Sequence, residues 1–235
     1  MAKKRSNKQQ NRPPEGYITV NDSEQWLNLS FDQDFADNKF FRIVVFYIIH
    51  SPCKSGSYSR IDLEEYGWSK PWHFDLFKEK FDSFAGFIKD KNYIYVDAQK
   101  NFKSKWEYSG IQDDFYNVEK TEFAVFCHAG ESNPRLDLFH HIRNSLSHGR
   151  FTAKRFGNDK EFYIYMEDVN DSGGYNKVNA RMCLKKSTLI KWINFLELKT
   201  EEAKELCQDL SQTNTKNGKR NATTASTNSK QTRKN

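Results

Sequence analysis

The sequence predicts a mainly all-α protein, an antiparallel helical bundle with one small β-hairpin. Apolar residues recur at helical spacing in several segments whose ends carry capping residues. Aromatic residues make up 15% of the 235 residues, which is enough to build a large core. Strand-like patterns are short: they cover 161–166 and 177–184, and the sequence D-S-G-G between them predicts a hairpin loop.

Helices are predicted for most of the first half of the chain. The run F-F-R-I-V-V-F-Y-I-I, within residues 34–50, is too long for a typical strand. We therefore interpret it as a buried helix, which Pro52 ends. Residues 93–96 are expected to form a brief extended segment. Further helices are predicted at 21–31, 61–68 and 69–89.

In the second half, a helix is predicted at 115–128, after a loop at 101–114. A short link then leads to a helix at 134–148, so these two helices are expected to pack antiparallel. A last helix is expected at about 187–210, where the spacing of apolar residues alternates between four and three. Such a seam packs against a bundle or against a second copy of the chain.

The helix at 134–148 has the clearest boundaries. Asn133 is a good N-cap residue, Pro134 suits the first helical position, and Gly149 suits the left-handed position after the last turn. The helix also has two distinct faces. Leu136, Phe139, Ile142 and Leu146 form an apolar face, whereas Asp137, His141, Asn144 and His148 form a polar stripe nearly opposite to it.

This helix carries Arg143 and His148, with four residues between them. At about 100° per residue, their side chains lie about 140° apart around an ideal helix. One straight helix therefore does not aim both side chains at one chemical group. Either the last turn unwinds, or an arginine of one subunit meets a histidine of another.

The string I-R-N-S-L-S-H-G-R-F, at 142–151, resembles the signature of the HEPN superfamily, in which a polar residue follows the arginine of an R-x4–6-H motif. The resemblance implies an all-α domain of the HEPN type, here at 16–210, with metal-independent endoribonuclease activity in a toxin or anti-phage defence role. It also implies a homodimer in which two motifs line one cleft. Arg143, Asn144 and His148 are the residues that match the catalytic motif. An antitoxin or another regulatory partner is then expected.

The side chains themselves fit cleavage of RNA by its own 2′-hydroxyl group, which gives a 2′,3′-cyclic phosphate. His148 can transfer protons near neutral pH, and Arg143 offers a planar, permanently charged fork for phosphate oxygens. Asn144 can hold the tautomer of His148 or contact the phosphate. Arg150 and His141 are expected to contact the RNA substrate. No cofactor is expected, because no carboxylate cluster or Cys/His set suggests a metal site.

Three other interpretations remain open. The domain can bind RNA or nucleotides, or serve as a dimerisation module, without cutting. The motif can instead mark a structural helix end, where His148 caps the last carbonyls and Arg143 joins a surface ion pair. Asp137, His141 and His148 are a conceivable zinc set, but helical geometry spreads them over too long a span for one ion.

The net charge of +6 comes from the two ends of the chain. Residues 1–15 hold five Lys or Arg and one Glu, and residues 211–235 hold six Lys or Arg and no acidic residue. Both segments are polar and are expected to be disordered basic tails. The segment between them has a net charge of −4, so any affinity for RNA must come from a local cleft. The tails either add affinity through counterion release or act only as solubilising ends.

The chain contains no apolar run of about 18 residues and no apolar segment after its basic N-terminus. Neither a membrane span nor a secretory signal is therefore expected. The four cysteines, Cys53, Cys127, Cys183 and Cys207, are scattered and form no C-x-x-C pair. They are expected to be reduced thiols in a cytoplasmic protein.

Overall fold

The computed structural model describes residues 15–20, 33–53, 63–68, 80–82, 84, 86–111, 115–117, 121–131, 133–171, 175–198 and 202. The predicted helix at 21–31 and the predicted tail at 211–235 lie outside these ranges. So do residues 1–14 of the N-terminal tail, residues 69–79 of one predicted helix and most of 199–210 in another.

Five strands form one mixed sheet at the centre of the described structure. They are β1 (Tyr93–Val96), β2 (Phe123–Cys127), β3 (Phe151–Lys154), β4 (Tyr163–Asp171) and β5 (Asn176–Lys185). Their order across the sheet is β1-β2-β5-β4-β3. β1 runs parallel to β2, and the other neighbouring pairs are antiparallel.

The α-helices of the described part are α1 (Asn38–Val45), α2 (Phe102–Tyr108), α3 (Pro134–Ser147) and α4 (Lys186–Leu196). A π-helical turn, Phe46–His50, continues α1, and short 3-10 turns occur at Gln33–Phe35, Gln99–Asn101 and Phe115–Asn117. Residues 80–82 and 84 are also helical, and Gly86 has a left-handed φ of 71°. None of these helices combines the length and the apolar character needed to cross a bilayer.

The sheet is buried on both of its faces. One face packs under α1, α3 and α4 and contributes Phe126 and Ile164 to a large aromatic and aliphatic core. The other face packs against α2 and the turn at Phe115–Asn117, and contributes Val125 and Tyr165 to a second core. Neighbouring residues of one strand therefore enter opposite cores, as the period of a strand requires.

The prediction of an all-α helical bundle of the HEPN type is wrong, because this sheet occupies the centre of the molecule. The largest error lies at 115–128, which was predicted as a helix but contains a 3-10 turn and β2. Every residue of β2, F-A-V-F-C, is buried, so no alternation of polar and apolar residues marks it as a strand. The element before α3 is consequently a strand, and the expected pair of antiparallel helices is absent.

Several other element predictions are confirmed. The helix at 34–50 is present as α1 and its π-helical turn, the extended segment at 93–96 is β1, and the hairpin is formed by β4 and β5. The hairpin is not an appendage, however, since it supplies two inner strands of the sheet. The expected loop at 101–114 contains α2, and β3 was not predicted. Residues 63–68 form hydrogen-bonded turns in place of the expected helix.

Candidate functional site

Helix α3 begins and ends where its sequence predicts. The side-chain oxygen of Asn133 accepts hydrogen bonds from two backbone N–H groups of the first turn, at 2.9 and 3.2 Å, and Pro134 is the first helical residue. At the other end, Gly149 has a φ of 66°, and the backbone N–H of His148 donates to the carbonyl of Asn144 at 2.9 Å. These caps fix both ends of the helix and therefore the position of each polar residue along its axis.

The two faces of α3 have different environments. The apolar face is buried in the core that the helix shares with α1 and α4. The polar stripe lies over the end of the sheet where β2 finishes at Cys127 and where β4 carries Asp168. Along the stripe, Asp137 and His141 are buried, whereas Asn144 is half-buried and His148 is exposed. The stripe therefore leads from the interior to the surface.

At the buried end of the stripe, the carboxylate of Asp137 contacts four groups from β1 and from the segment that follows β2. Backbone N–H groups of Ala129 and Glu131 donate to its Oδ1, at 2.8 and 3.1 Å. The Tyr95 hydroxyl and Nδ1 of His128 lie 3.0 and 3.1 Å from its Oδ2. Asp137 is fully buried, but the side chain of His128 is 47% exposed.

This arrangement selects one tautomer of His128. A carboxylate can only accept, so the proton of the neutral ring lies on Nδ1 and Nε2 is left as the acceptor. The Tyr95 hydroxyl also lies 2.9 Å from Nδ1, and burial together with the charge of Asp137 raises the pKa of that hydroxyl. A buried carboxylate behind an accessible imidazole is the orientation used by proton-transferring histidines.

His141 is held as a buried cation. Its Nδ1 lies 2.6 Å from Oδ2 of Asp168, and its Nε2 lies 2.8 Å from the carbonyl oxygen of Cys127. Both partners accept, so both ring nitrogens carry a proton. Burial by itself lowers the pKa of His141, but the hydrogen bond and charge of Asp168 and the Cys127 carbonyl outweigh it, and the pKa is raised. Contact between this ring and RNA would require these bonds to break.

Arg143 and His148 are not joined by any hydrogen bond that the structure describes. Nε of Arg143 lies 3.4 Å from the carbonyl oxygen of Ile48, in the π-helical turn after α1, and the side chain is half-buried. The amide of Asn144 lies 3.4 Å from Oδ2 of Asp168, a long contact. Because α3 remains helical up to Ser147, its last turn does not unwind. The unwinding that could unite the pair within one chain is therefore absent.

Arg150 belongs to a buried ion-pair cluster. Its Nη2 donates to Oε1 of Glu167 at 2.6 Å, and Nε of Arg181 donates to Oε2 of the same carboxylate at 3.0 Å. Glu167 is fully buried, and the side chains of Arg150 and Arg181 are 10% and 5% exposed. The guanidinium of Arg181 also lies 4.9 Å from the ring centre of Trp106. Arg150 thus links the end of α3 to the sheet.

Sequence reasoning missed His128, Tyr95 and Glu167. The one available signal for His128 was its place directly after a fully apolar run, where a strand end exposes a side chain; the helix assignment at 115–128 hid it. The thiol of Cys127, beside it, is no alternative nucleophile, because burial raises its pKa to about 12. Cys53, Cys127 and Cys183 are buried, and Cys207 lies outside the described residues.

Within the described residues, no three His, Cys, Asp or Glu side chains are placed to hold a metal ion. Comparison of the chain with protein-family models, with curated proteins and with solved structures finds no match in any of the three. The candidate site is therefore defined by its own residues: an exposed imidazole, His148, at one end of α3, and a carboxylate-bound imidazole, His128, at the other.

Proposed function

We propose that this protein is a metal-independent endoribonuclease in which His148 transfers protons at the cleaved phosphate. The observation that carries the proposal is the placement of His148: the residue is exposed at the capped end of α3, about one helical turn after the half-buried Arg143 and Asn144. The resemblance of residues 142–151 to the HEPN motif supports it on the same residues. The sheet-centred fold gives the proposal no support.

The chemistry requires few protein groups because RNA contains its own nucleophile. His148 accepts the proton of the 2′-hydroxyl group while the 2′ oxygen bonds to phosphorus. The bond from phosphorus to the 5′ oxygen breaks, and that oxygen takes up a proton from water, while His148 releases the proton it accepted to the solvent. A 2′,3′-cyclic phosphate and a 5′-hydroxyl end result. A guanidinium such as that of Arg143 stabilises the charge that develops on the phosphoryl oxygens.

The position of Arg143 supports a composite site in a homodimer. Its side chain leans towards the carbonyl of Ile48, whereas His148 projects from the end of the helix. Around an ideal helix the two residues are about 140° apart. In this proposal, Arg143 of one subunit and His148 of another act on the same phosphate.

Cleavage of one end-labelled RNA by the full chain tests the proposal. His148→Ala should reduce the cleavage rate by about 100-fold or more, the usual contribution of a general acid–base group. Wild type should be equally active with and without EDTA. A substrate with 2′-deoxyribose at the cut position should resist. The product should carry a cyclic phosphate, which mass spectrometry identifies.

His128→Ala is the matched control, since it removes the other imidazole of the site at the opposite end of α3. If it abolishes cleavage while His148→Ala does not, proton transfer takes place beside Asp137 and the assignment of His148 is wrong. Loss of activity in EDTA, or cleavage of the 2′-deoxy substrate, contradicts the mechanism itself. Circular dichroism of each variant shows whether its fold is intact.

A second candidate function is RNA binding without cleavage. The described contacts of Arg143 favour it, because this side chain contacts the carbonyl of Ile48 and shares no described hydrogen bond with His148. Arg150 and His141 have internal partners, so other residues would contact the RNA. In that case the wild-type chain should bind labelled RNA and leave it intact. The His148→Ala variant should bind the same RNA with equal affinity.

A further inference from the structure

A cavity with a basic lining lies outside the polar stripe of α3. It has a volume of about 360 Å³ and opens where β5 passes into α4. The start of α1 and the segment leading into β4 complete its walls. We call it the lysine cavity because its charged lining residues are Lys39, Lys160, Lys186 and Lys191, with the two carboxylates Asp37 and Glu161.

The two carboxylates of the lysine cavity already have partners. Nζ of Lys186 lies 2.6 Å from Oδ1 of Asp37, and it also donates to the carbonyl of Phe35 at 3.0 Å. Glu161 accepts a hydrogen bond from the backbone N–H of Ser187 at 3.2 Å. Lys186 is buried, so its charge stabilises Asp37 and is not available to a ligand.

The other three lysines are exposed and come from three different elements: α1, the segment before β4, and α4. No ion pair joins Lys39, Lys160 or Lys191 to another residue that the structure describes. Another cavity of the described structure, of about 320 Å³, has the opposite balance of charge, with Lys91 beside Asp90 and Glu122. Outside the Lys186–Asp37 pair, three ammonium groups face the single carboxylate of Glu161, so the concavity has an excess of positive charge that attracts an anion.

The lysine cavity lies on the same side of the sheet as the proposed reaction site. The ring of Phe40, next to Lys39, packs 6.0 Å from the ring of Phe151, three residues after His148. β3 then runs from Phe151 to Lys154, which pairs with Tyr163 just beyond the wall of the cavity. Four residues of strand span roughly 10 Å. A single RNA strand that passes His148 can therefore continue along β3 to the cavity.

We propose that the lysine cavity binds the phosphodiester backbone of the RNA strand a few nucleotides from the cut. This inference rests on the proposed function for its choice of anion. Ammonium groups on flexible stems recognise phosphate charge and not base identity, so the cavity contributes affinity and position without sequence preference.

Binding of an uncleavable 2′-O-methyl RNA of about 12 nucleotides to the full chain tests the inference, measured by fluorescence anisotropy between about 50 and 200 mM salt. For single strands, each phosphate contact contributes about 0.7 to the slope of log affinity against log salt. The triple variant Lys39→Gln, Lys160→Gln, Lys191→Gln should therefore lower that slope by about 2. Wild type should lose about 15- to 20-fold more affinity than the variant over this range.

The matched control replaces Lys100, Lys103 and Lys105, three exposed lysines at α2, with glutamine. The basic tails are intact in both triple variants, so their contribution cancels. The inference holds if the salt slope of the cavity variant is lower than that of wild type by about 2 and the control variant has the wild-type slope. Equal slopes in the two variants overturn it, even if wild type cleaves RNA and the proposed function stands. Failure of wild type to bind the RNA at all overturns both.

Discussion

Replacing Glu167 with glutamine is expected to destabilise the fold by about 3–5 kcal/mol. In the native protein, one carboxylate is shared by two guanidiniums, with hydrogen bonds of 2.6 Å to Arg150 and 3.0 Å to Arg181. All three side chains are at least 90% buried. Glutamine preserves the shape but leaves two cations in a poorly solvated site, and a buried charge without its partner is strongly unfavourable.

Urea denaturation followed by far-UV circular dichroism measures this loss as a shift of the midpoint at constant slope. A protein of this size melts about 2–4 °C lower for each kcal/mol lost, so the thermal midpoint should fall by roughly 6–20 °C. Glu197→Gln is the control. It breaks the Arg42–Glu197 pair, whose 2.6 Å contact joins side chains that are 42% and 46% exposed, and such pairs contribute about 0–1 kcal/mol.

A loss below about 1 kcal/mol in Glu167→Gln, similar to that of the control, would refute this reasoning. It would mean that water reaches Arg150 and Arg181 in the native state. Arg150 would then be accessible to RNA, as the sequence led us to expect, and its bond to Glu167 would be incidental.

Two further perturbations test the supports of α3. The raised pKa of His141 stabilises the fold fully below pH about 6.5, its unfolded value, and this contribution is lost as the pH rises through the folded value. The difference in urea midpoint between wild type and His141→Gln should therefore shrink above pH 6.5; a difference that grows with pH contradicts the buried imidazolium. Asn133→Ala should remove about 1 kcal/mol of stability, whereas Asn133→Asp, which keeps the capping oxygen, should retain most of it.

The sequence predicts α3 well because its signals are local. A cap at Asn133, a proline at Pro134 and a glycine at Gly149 each report on their own position, and all three behave as expected. The hairpin of β4 and β5 is predictable for the same reason, since alternation and a turn lie within a few residues. Confirmed elements are thus those whose evidence does not depend on distant neighbours.

The sequence-based predictions fail where an element is buried on both of its faces. β2 has no polar face because one core lies over Ala124 and Phe126 and another over Val125 and Cys127, so its pattern fits a buried helix as well as a strand. The same holds for the site. His128 is positioned by Asp137, which is distant enough in sequence that only the fold shows the contact, and Glu167 could not be matched to Arg150 and Arg181 without the register of β4 and β5.

The shortness of the outer strands has a consequence for self-association. β1 and β3 lie at the two edges of the sheet, and each is only four residues long. Unpaired backbone groups at a sheet edge can recruit a strand from another chain, which leads to domain swapping or amyloid, and short edges limit this hazard. β4 is paired on both sides at Tyr163–Met166, and β5 at Ala180–Cys183. Ordered pairing of two chains is therefore expected to use side-chain surfaces of the helices more than the short outer strands.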